Sequence, residues 1–373
     1  MNNLLHVSPN QYPPLNGKEH HTKNIWKELA VGFDEYHVLA RSEDNRYSYT
    51  IEGNIHLHLI PKIMDKSKIF FISSIWAFYI IKKYEINRLL CQCPIVGGFT
   101  CILASKYFKI PIMVEIHGDV YFKYMNEPGI LNRIYSFFAK TTFNNATKIR
   151  SLSSSMNRIL NSLGIRENIV IIPNRVDLNL FQNRKDNYKL HNPIKVLSIG
   201  RFVEQKGYDV AIESIKILSK RYNLVLNLVG GGKLANKFKD QSFGYDNIKF
   251  IEWIDQSELK DLMSQTDIYI QPSKPYLGEA MPRTILEAMA MKLPIISTNI
   301  AAIPGVLNDS NSIVIKPNNV IDLVDAIEKL ILNSELRERI ALCGYQDVCE
   351  KYEWNKVFHL YREEIKSMNY ENS

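Results

Sequence analysis

The chain has 373 residues, of which 46% are hydrophobic and 23% are charged, and its formal net charge is +7 at pH 7. This length exceeds what one ordinary hydrophobic core fills, so a single small domain is excluded and two domains are predicted. The positive charge suits an anionic substrate or a membrane surface. Dispersed cations without a known binding module argue against nucleic acid as a partner.

Short apolar runs alternate with amphipathic stretches along the chain. A first series of predicted strands occupies residues 4–7, 36–40, 89–91, 111–116 and 169–172. A second series occupies residues 194–199, 224–229, 248–251, 268–270 and 294–297. Strands that alternate with helices favour parallel sheets with helices on their faces. The pattern therefore predicts an α/β protein with two parallel sheets.

A polar segment separates the two strand series. Residues 182–193 are charged and lack apolar periodicity, which is typical of a linker between domains. We therefore expect a first domain at residues 1–181 and a second domain at residues 194–352. Residues 353–373 form the final segment, in which residues 354–368 have apolar positions near helical spacing and predict a helix.

The cysteines and the N-terminus favour a cytoplasmic protein. Five cysteines are present, and their spacing fits no metal-ligand pattern. The N-terminus proceeds directly into a predicted strand, without the basic and apolar regions of a secretory signal. The sequence contains no Asp-x-Asp, so it lacks an obvious carboxylate pair for a divalent cation, and we expect no metal.

Residues 69–81 form the most membrane-like stretch. Thirteen residues are too few to span a bilayer, which takes about 20. The stretch is rich in aromatic residues and is flanked by lysines, so it could lie on an anionic membrane surface. The alternative is a core helix of the first domain.

Two cations follow the first predicted strand of the second domain. Arg201 and Lys206 lie within residues 200–207 and would project from a strand-to-helix loop at the carboxyl edge of the sheet. Open α/β sheets bind their ligands at that edge. A guanidinium and an ammonium together could neutralise a diphosphate. The alternative is a pair of solvated surface cations, which is the usual environment of such residues.

Two glutamates surround a predicted helix start in residues 278–290. Pro282 suits the first turn of that helix, and Glu279 lies just ahead of it. Backbone N–H groups at the helix N-terminus could bind a phosphate, while Glu287 could accept hydrogen bonds from a pair of hydroxyl groups. Alternatively, Glu279 is a favourable charge near a helix N-terminus, and Glu287 is an exposed helical glutamate.

Two further segments lie where predicted strands end. Residues 230–232 are three glycines, which permit close backbone approach to a ligand. A dinucleotide fingerprint is a weak interpretation of them, because its last glycine position holds Ala235. His117 ends the apolar run 110–116 and precedes Gly118, so it lies where a buried strand emerges, although a satisfied core histidine is the alternative.

Taken together, these segments resemble the retaining GT-B glycosyltransferases of family 4, whose motif is two glutamates separated by seven residues. Residues 114–118, 172–177, 228–232 and 352–354 add to the resemblance, which covers roughly residues 110 to 360 in family order. The resemblance implies a GT-B fold, in which two Rossmann-like parallel-sheet domains face each other across a cleft. The final helix would cross back to the first domain.

The resemblance also implies a role for each candidate residue. Arg201 and Lys206 would hold the donor diphosphate, and Glu287 would hold the donor ribose. Glu279 would bind hydroxyls of the transferred sugar, which His117 would approach from the first domain. The other implied contacts are Gly230, Gly231, Ile254, Ala280 and Met281 on the donor side, and Asn16, Gly17 and His20 on the acceptor side.

The chain departs from the family pattern at three places. Residues 16–21 carry one glycine where many members have two adjacent glycines, which puts the usual backbone contact to phosphate in doubt. Arg175 replaces a common glycine after Asn174, and residues 281–283 replace a more flexible glycine-containing stretch.

The implied function is transfer of a hexosyl group, with retention of configuration, from a UDP- or GDP-linked sugar. Neither a metal nor another cofactor is expected. The basic, aromatic first domain favours a glycan or lipid-linked glycan acceptor at the inner face of the cell membrane, as in bacterial lipopolysaccharide or other surface polysaccharide assembly. The alternatives are a GT-B nucleotide-sugar epimerase and a non-catalytic carbohydrate-binding protein.

Overall fold

The computed structural model describes residues 1–14, 19–61, 72–117, 128–182, 184–275, 281–300 and 302–370. The chain divides into two compact units, of which the first comprises Met1–Ile172 and Phe358–Ser373 and the second comprises Pro173–Val357. The chain therefore leaves the first unit once and returns to it near its end.

The first unit contains an eight-stranded sheet with the strand order β3-β4-β2-β1-β5-β6-β7-β8. Its strands are parallel, except that β3 runs antiparallel to β4. The strands are β1 (Asn3–Tyr12), β2 (Glu35–Ser42), β3 (Ser48–Glu52), β4 (Ile55–Ile60), β5 (Arg88–Cys91), β6 (Ile112–Glu115), β7 (Lys148–Ser151) and β8 (Ile169–Ile171).

Helices cover the apolar faces of this sheet. Leu5, Leu89 and Val114 are fully buried, and they belong to the core that these helices close. The helices are α1 (Glu19–Ala30), α2 (Trp76–Lys83), α3 (Val96–Phe108), α4 (Ile130–Asn145) and α5 (Ser154–Ser162), with a short 3-10 helix at Ile72–Ile75.

The second unit contains a fully parallel six-stranded sheet with the strand order β11-β10-β9-β12-β13-β14. The strands are β9 (Ile194–Ile199), β10 (Leu224–Val229), β11 (Ile248–Ile251), β12 (Ile268–Gln271), β13 (Ile295–Thr298) and β14 (Ile313–Ile315). The helices are α6 (Tyr208–Leu218), α7 (Ala235–Gln241), α8 (Gln256–Ser264), α9 (Arg283–Ala290), α10 (Val320–Leu332) and α11 (Ser334–Lys351). A last helix, α12 (Trp354–Lys366), carries the chain from the second unit into the first.

Side-chain caps begin several of these helices, among them α8, α10 and α11. Asp255 accepts hydrogen bonds from the N–H groups of Ser257 and Glu258, and the Glu258 side chain accepts from the N–H of Asp255 in return. Asn319 and Asn333 cap α10 and α11 with one bond each, accepted from the N–H groups of Asp322 and Leu336. Each such cap stabilises a helix by about 1 kcal/mol, because it satisfies N–H groups that have no partner within the helix.

The prediction of two parallel α/β sheets is confirmed, and each of the ten predicted strands overlaps a strand of the structure. Four further strands, β3, β4, β7 and β14, were not predicted. The antiparallel β3 also departs from the all-parallel expectation, because it joins β4 through the two-residue turn 53–54 as a hairpin at the sheet edge.

The polar segment expected to be a linker lies in the second unit. Lys185 is buried there, with its Nζ 3.2 Å from Oδ1 of the fully buried Asp267. The ring of His191 approaches the same carboxylate at 2.9 Å. A buried ion pair and a contact from His191 therefore hold in place a segment that the sequence pattern predicts to be a linker.

Backbone contacts join the loops at the carboxyl edge of the second sheet. A Cβ atom on Gly230 would lie 2.0 Å from the carbonyl oxygen of Gly200, and one on Gly207 would lie 1.9 Å from the carbonyl oxygen of Pro272. Both glycines also have positive φ angles, +143° and +65°. Any larger residue at either position would separate the loops that follow β9, β10 and β12.

We predict that Gly230→Ala destabilises the protein and that Gly231→Ala does not. The first change places a methyl group against the backbone of Gly200 and forces an alanine to adopt a positive φ. Together these effects should lower the free energy of unfolding by more than about 2 kcal/mol. At Gly231 the added atom would make ordinary contacts of 3.4 and 3.6 Å with Trp253. Urea unfolding of the two variants measures the difference, and equal stability would contradict the role given to Gly230.

Candidate functional site

The strand order of the second sheet reverses between β9 and β12. The chain proceeds from β9 through β10 to β11 on one side and from β12 through β13 to β14 on the other. In open α/β sheets, ligands bind outside the carboxyl ends of the strands at such a reversal. The loops after β9 and β12 are therefore where topology predicts a ligand site.

Arg201 and Lys206 lie in the loop that follows β9. Arg201 is exposed, whereas Lys206 is half-buried at the end of a short 3-10 helix, Glu204–Lys206. A Cβ on Gly200 would lie 3.2 Å from Cε of Lys206, so the lysine stem runs along the backbone at the end of β9. Both predicted cations therefore lie at the reversal point.

Lys274 is a third cation at this edge, and the sequence analysis missed it. It follows β12, its backbone N–H donates to the carbonyl of Gln205 at 2.9 Å, and its side chain pairs with Asp209 of α6. Its position, four residues after the apolar run 268–270, was the available signal. Lys274 braces the two loops that form the reversal point.

The glycine loop lies beside these cations and carries an exposed indole. Gly230 and Gly231 follow β10, and Trp253 follows the neighbouring strand β11. An added Cβ on Gly231 would lie 3.4 Å from Nε1 of Trp253, and the indole is 54% exposed. Ile254, the predicted donor-side contact, is the next residue and is half-buried. The arrangement offers a flat apolar surface next to open backbone.

Helix α9 holds the second predicted element of the site. Pro282 is its N-cap, one residue before the first helical residue, and Glu287 is half-buried in the second turn. Met281 is buried, and its carbonyl accepts a hydrogen bond of 2.8 Å from Nδ2 of Asn174. Asn174 therefore holds in place the residue that precedes the N-cap of α9. Glu279 and Ala280 lie outside the described residues.

His117 lies in the first unit, just after β6, and a buried carboxylate orients it. Its Nε2 is 3.2 Å from Oε2 of Glu115, which is 1% exposed, while the His117 side chain is 43% exposed. The other oxygen of Glu115 accepts hydrogen bonds from Arg150 of β7 and from Tyr361 of α12. The imidazole is thus held at one nitrogen and open to solvent elsewhere.

The charges beneath His117 reinforce one another. Burial alone would raise the pKa of Glu115, but His117 and Arg150 outweigh burial and hold that pKa well below its usual range. Burial and the charge of Glu115 raise the pKa of the Tyr361 hydroxyl well above its ordinary value. Glu115 is therefore ionised and Tyr361 is protonated at neutral pH, as the hydrogen bond between them requires.

None of the predicted acceptor-side residues has a described side chain. Asn16 and Gly17 lie outside the described residues, and His20 belongs to α1 with a side chain that is not described. Of the membrane-like stretch 69–81, the described part includes α2, in which Ala77, Ile80 and Ile81 are buried. For α2, the buried residues therefore agree with the alternative prediction, a core helix of the first domain.

Helices long and apolar enough to cross a membrane are absent from the part of the chain that the structure describes.

Two families match the chain, and together they cover most of it. Residues 15–180 match the family described as Glycosyltransferase Family 4, and residues 181–347 match Glycosyl transferases group 1. An uncharacterized glycosyltransferase of Methanocaldococcus jannaschii is 25% identical over 92% of this chain and 93% of its own length. The capsular polysaccharide biosynthesis glycosyltransferase CapM of Staphylococcus aureus is 26% identical over 83% and 84%.

A solved structure shares the fold. Anabaena HepE, crystallised with UDP, superposes with a TM-score of 0.74 over 98% of this chain and 100% of its own, at 14% identity. HepE was also solved with UDP-glucose. The family matches and this fold agree with the resemblance of the sequence motifs. The chain belongs to the group 1 and family 4 glycosyltransferases and has their GT-B architecture of two parallel-sheet α/β domains.

Proposed function

We propose that this glycosyltransferase moves a hexosyl group from a nucleoside-diphosphate sugar to a glycan or lipid-linked glycan, with retention of configuration and without a metal. The observation that carries the proposal is the position of Arg201 and Lys206 at the strand-order reversal of the second sheet. Two cations at that point suit the diphosphate, which gains negative charge as the sugar leaves.

The neighbouring loops supply the other donor contacts in this proposal. The N-terminus of α9 and the glycines after β10 present backbone to the phosphates and the base. Glu287 accepts hydrogen bonds from the ribose hydroxyls, and Glu279 accepts from the transferred sugar. Trp253 and Ile254 offer an apolar surface for the base. UDP-glucose is the first donor to test, because HepE was solved with it.

His117 contacts the transferred sugar in this proposal. Glu115 fixes one of its ring nitrogens, so the ring is presented in a defined orientation rather than sampling several. Glu115 is a positioning residue, and Arg150 and Tyr361 hold it in turn.

The acceptor is proposed to lie at a membrane surface, which the faces of α3 and α4 support. Phe99 of α3 contacts Phe137 of α4, and exposed apolar side chains continue from this contact along both helices. They are Leu103, Tyr107, Ile130, Leu131, Ile134 and Phe137. Residues 96–109 and 130–145 contain four cations and no acid. An apolar face with positive charge suits an anionic lipid surface, and CapM acts in capsular polysaccharide biosynthesis.

We predict that Arg201→Ala and Lys206→Ala each lower transfer from UDP-glucose about 100-fold or more at saturating donor, because each removes a charge that stabilises the leaving diphosphate. Lys249→Ala, a change of an exposed lysine on β11, is the matched control and should retain activity. Product formation is measured by mass spectrometry with glycan and lipid-linked acceptors. Wild-type turnover in either site variant would remove that residue from the mechanism.

Thermal-shift titration of the same proteins with UDP, GDP and ADP tests donor binding apart from turnover. A nucleotide that binds the folded state raises the unfolding temperature. A shift for one nucleotide that Arg201→Ala abolishes supports the site and names the base. Reaction of the donor without any acceptor would favour the epimerase, and binding without reaction across a broad acceptor panel would favour a carbohydrate-binding protein.

His117→Ala should lower kcat about 100-fold and leave the affinity for the nucleotide alone unchanged, because the nucleotide contacts come from the second unit. Turnover is compared with nucleotide affinity from isothermal titration calorimetry. Loss of nucleotide affinity with unchanged kcat would be the opposite of the expected result.

Vesicles containing phosphatidylglycerol should bind the wild type at least about 10-fold more strongly than they bind Ile134→Ser/Phe137→Ser, since that variant removes apolar area from the face of α4. Ile321→Ser/Leu332→Ser is the matched control, because those residues are at least as exposed as Ile134 and Phe137 but lie on α10 in the second unit. Co-sedimentation measures the binding. Equal binding of both variants would remove the α3 and α4 face as the membrane contact.

A further inference from the structure

Three histidines and a glutamate share one face of the first sheet near its edge. His37 of β2 lies directly opposite His56 of β4 in the strand register. Glu35 lies two residues before His37 and His58 lies two residues after His56, which puts their side chains on the same face. Tyr49 of β3 pairs with His58 and extends the group to the edge strand.

Three of these side chains approach one another closely enough to share an ion. One ligand atom from each of Glu35, His37 and His56 lies within 4.8 Å of the other two. Oε2 of Glu35 is 2.9 Å from Nε2 of His37, and the rings of His37 and His56 stack with their centroids 4.4 Å apart. Imidazole nitrogen and carboxylate oxygen are ligands that Zn²⁺ and neighbouring transition ions accept.

The two histidines are also held from behind. Nδ1 of His37 is 3.0 Å from Nε2 of the buried His58, and Nδ1 of His56 is 2.7 Å from the hydroxyl of Tyr49. A histidine that binds a metal usually engages its other ring nitrogen with such a partner, which fixes the ring. Each ring therefore has one nitrogen engaged by an outer partner, and the second nitrogen of His37 contacts Oε2 of Glu35.

The charges of the group are compatible with a bound dication. His37 and His58 are fully buried, and a neutral imidazole is the form that binds metal. Lys83 opposes a cation, because its Nζ lies 5.1 Å from the centroid of the Tyr84 ring that packs on His37. Glu35, which is 39% exposed, supplies negative charge and a route from solvent.

We propose that Glu35, His37 and His56 bind one transition-metal dication such as Zn²⁺, with solvent completing its coordination. The ligands lie toward the amino ends of β2 and β4, whereas His117 follows the carboxyl end of β6 in the same sheet. The ion is therefore structural: it ties β4, and through Tyr49 the edge strand β3, to β2. The transfer proposed above does not use this ion.

The test is a Zn²⁺ titration of the full chain after treatment with a chelator and its removal. Calorimetry should give one equivalent bound, and Zn²⁺ should raise the unfolding temperature. His56→Gln and Glu35→Gln should each weaken binding at least about 10-fold. His359→Gln, which changes an exposed histidine of α12, should bind as the wild type does. Co²⁺ in place of Zn²⁺ should give the visible absorption of a site with fewer than six ligands.

Two results would overturn the proposal. One is the absence of saturable binding by the wild type. The other is wild-type affinity in both Glu35→Gln and His56→Gln, which would place the ion elsewhere. The unfolding temperature of each variant in chelator shows whether it is folded. Glu35 and His56 both lie at the rim of the cluster. If one of the two variants is unfolded without metal, the affinity of the other variant is compared with that of the wild type.

Discussion

Direct contact between backbones at the carboxyl edge of the second sheet is the constraint on which the candidate donor site depends. Gly230 lies against the carbonyl of Gly200, and Gly207 lies against the carbonyl of Pro272. Three loops are thereby joined without intervening side chains. The stem of Lys206 can then lie along the strand end, and Arg201 is exposed in the same loop. Backbone that no side chain covers can present its N–H dipoles to an anion at short range.

Buried charges hold the candidate site residue of the first unit in place, whereas close backbone contacts hold the loops of the second unit. Glu115 is withdrawn from water, which is costly unless each oxygen has partners. Arg150, Tyr361 and His117 supply them, and Arg150 also stacks on the Tyr361 ring with its guanidinium carbon 4.5 Å from the ring centroid. A network of this kind has little freedom, because moving any member leaves another unsatisfied. The orientation of His117 is therefore a property of the core beneath it.

The sequence predicted the features that depend on neighbouring residues. It missed the contacts between residues that are far apart in the chain. Long apolar runs revealed β9 and β10, whereas β7 offers a single apolar residue, Ile149, between polar ones. Arg201 and Lys206 were found because both lie in the short segment 200–207, directly after a predicted strand. The bond from Arg150 to Glu115 joins residues 35 apart, and Lys274 meets Asp209 across 65. Such pairings depend on strand order, which spacing along one chain does not encode.

The participation of Tyr361 in the network beneath His117 bears on how the chain is made. Tyr361 and Glu115 are separated by 246 residues, and the whole second unit lies between them. Domains usually fold in order as they leave the ribosome. Here the first unit lacks its last helix until the second has been synthesised, so the earlier unit is completed later. The network beneath His117 therefore gains Tyr361, its partner from α12, only after the second unit has been synthesised.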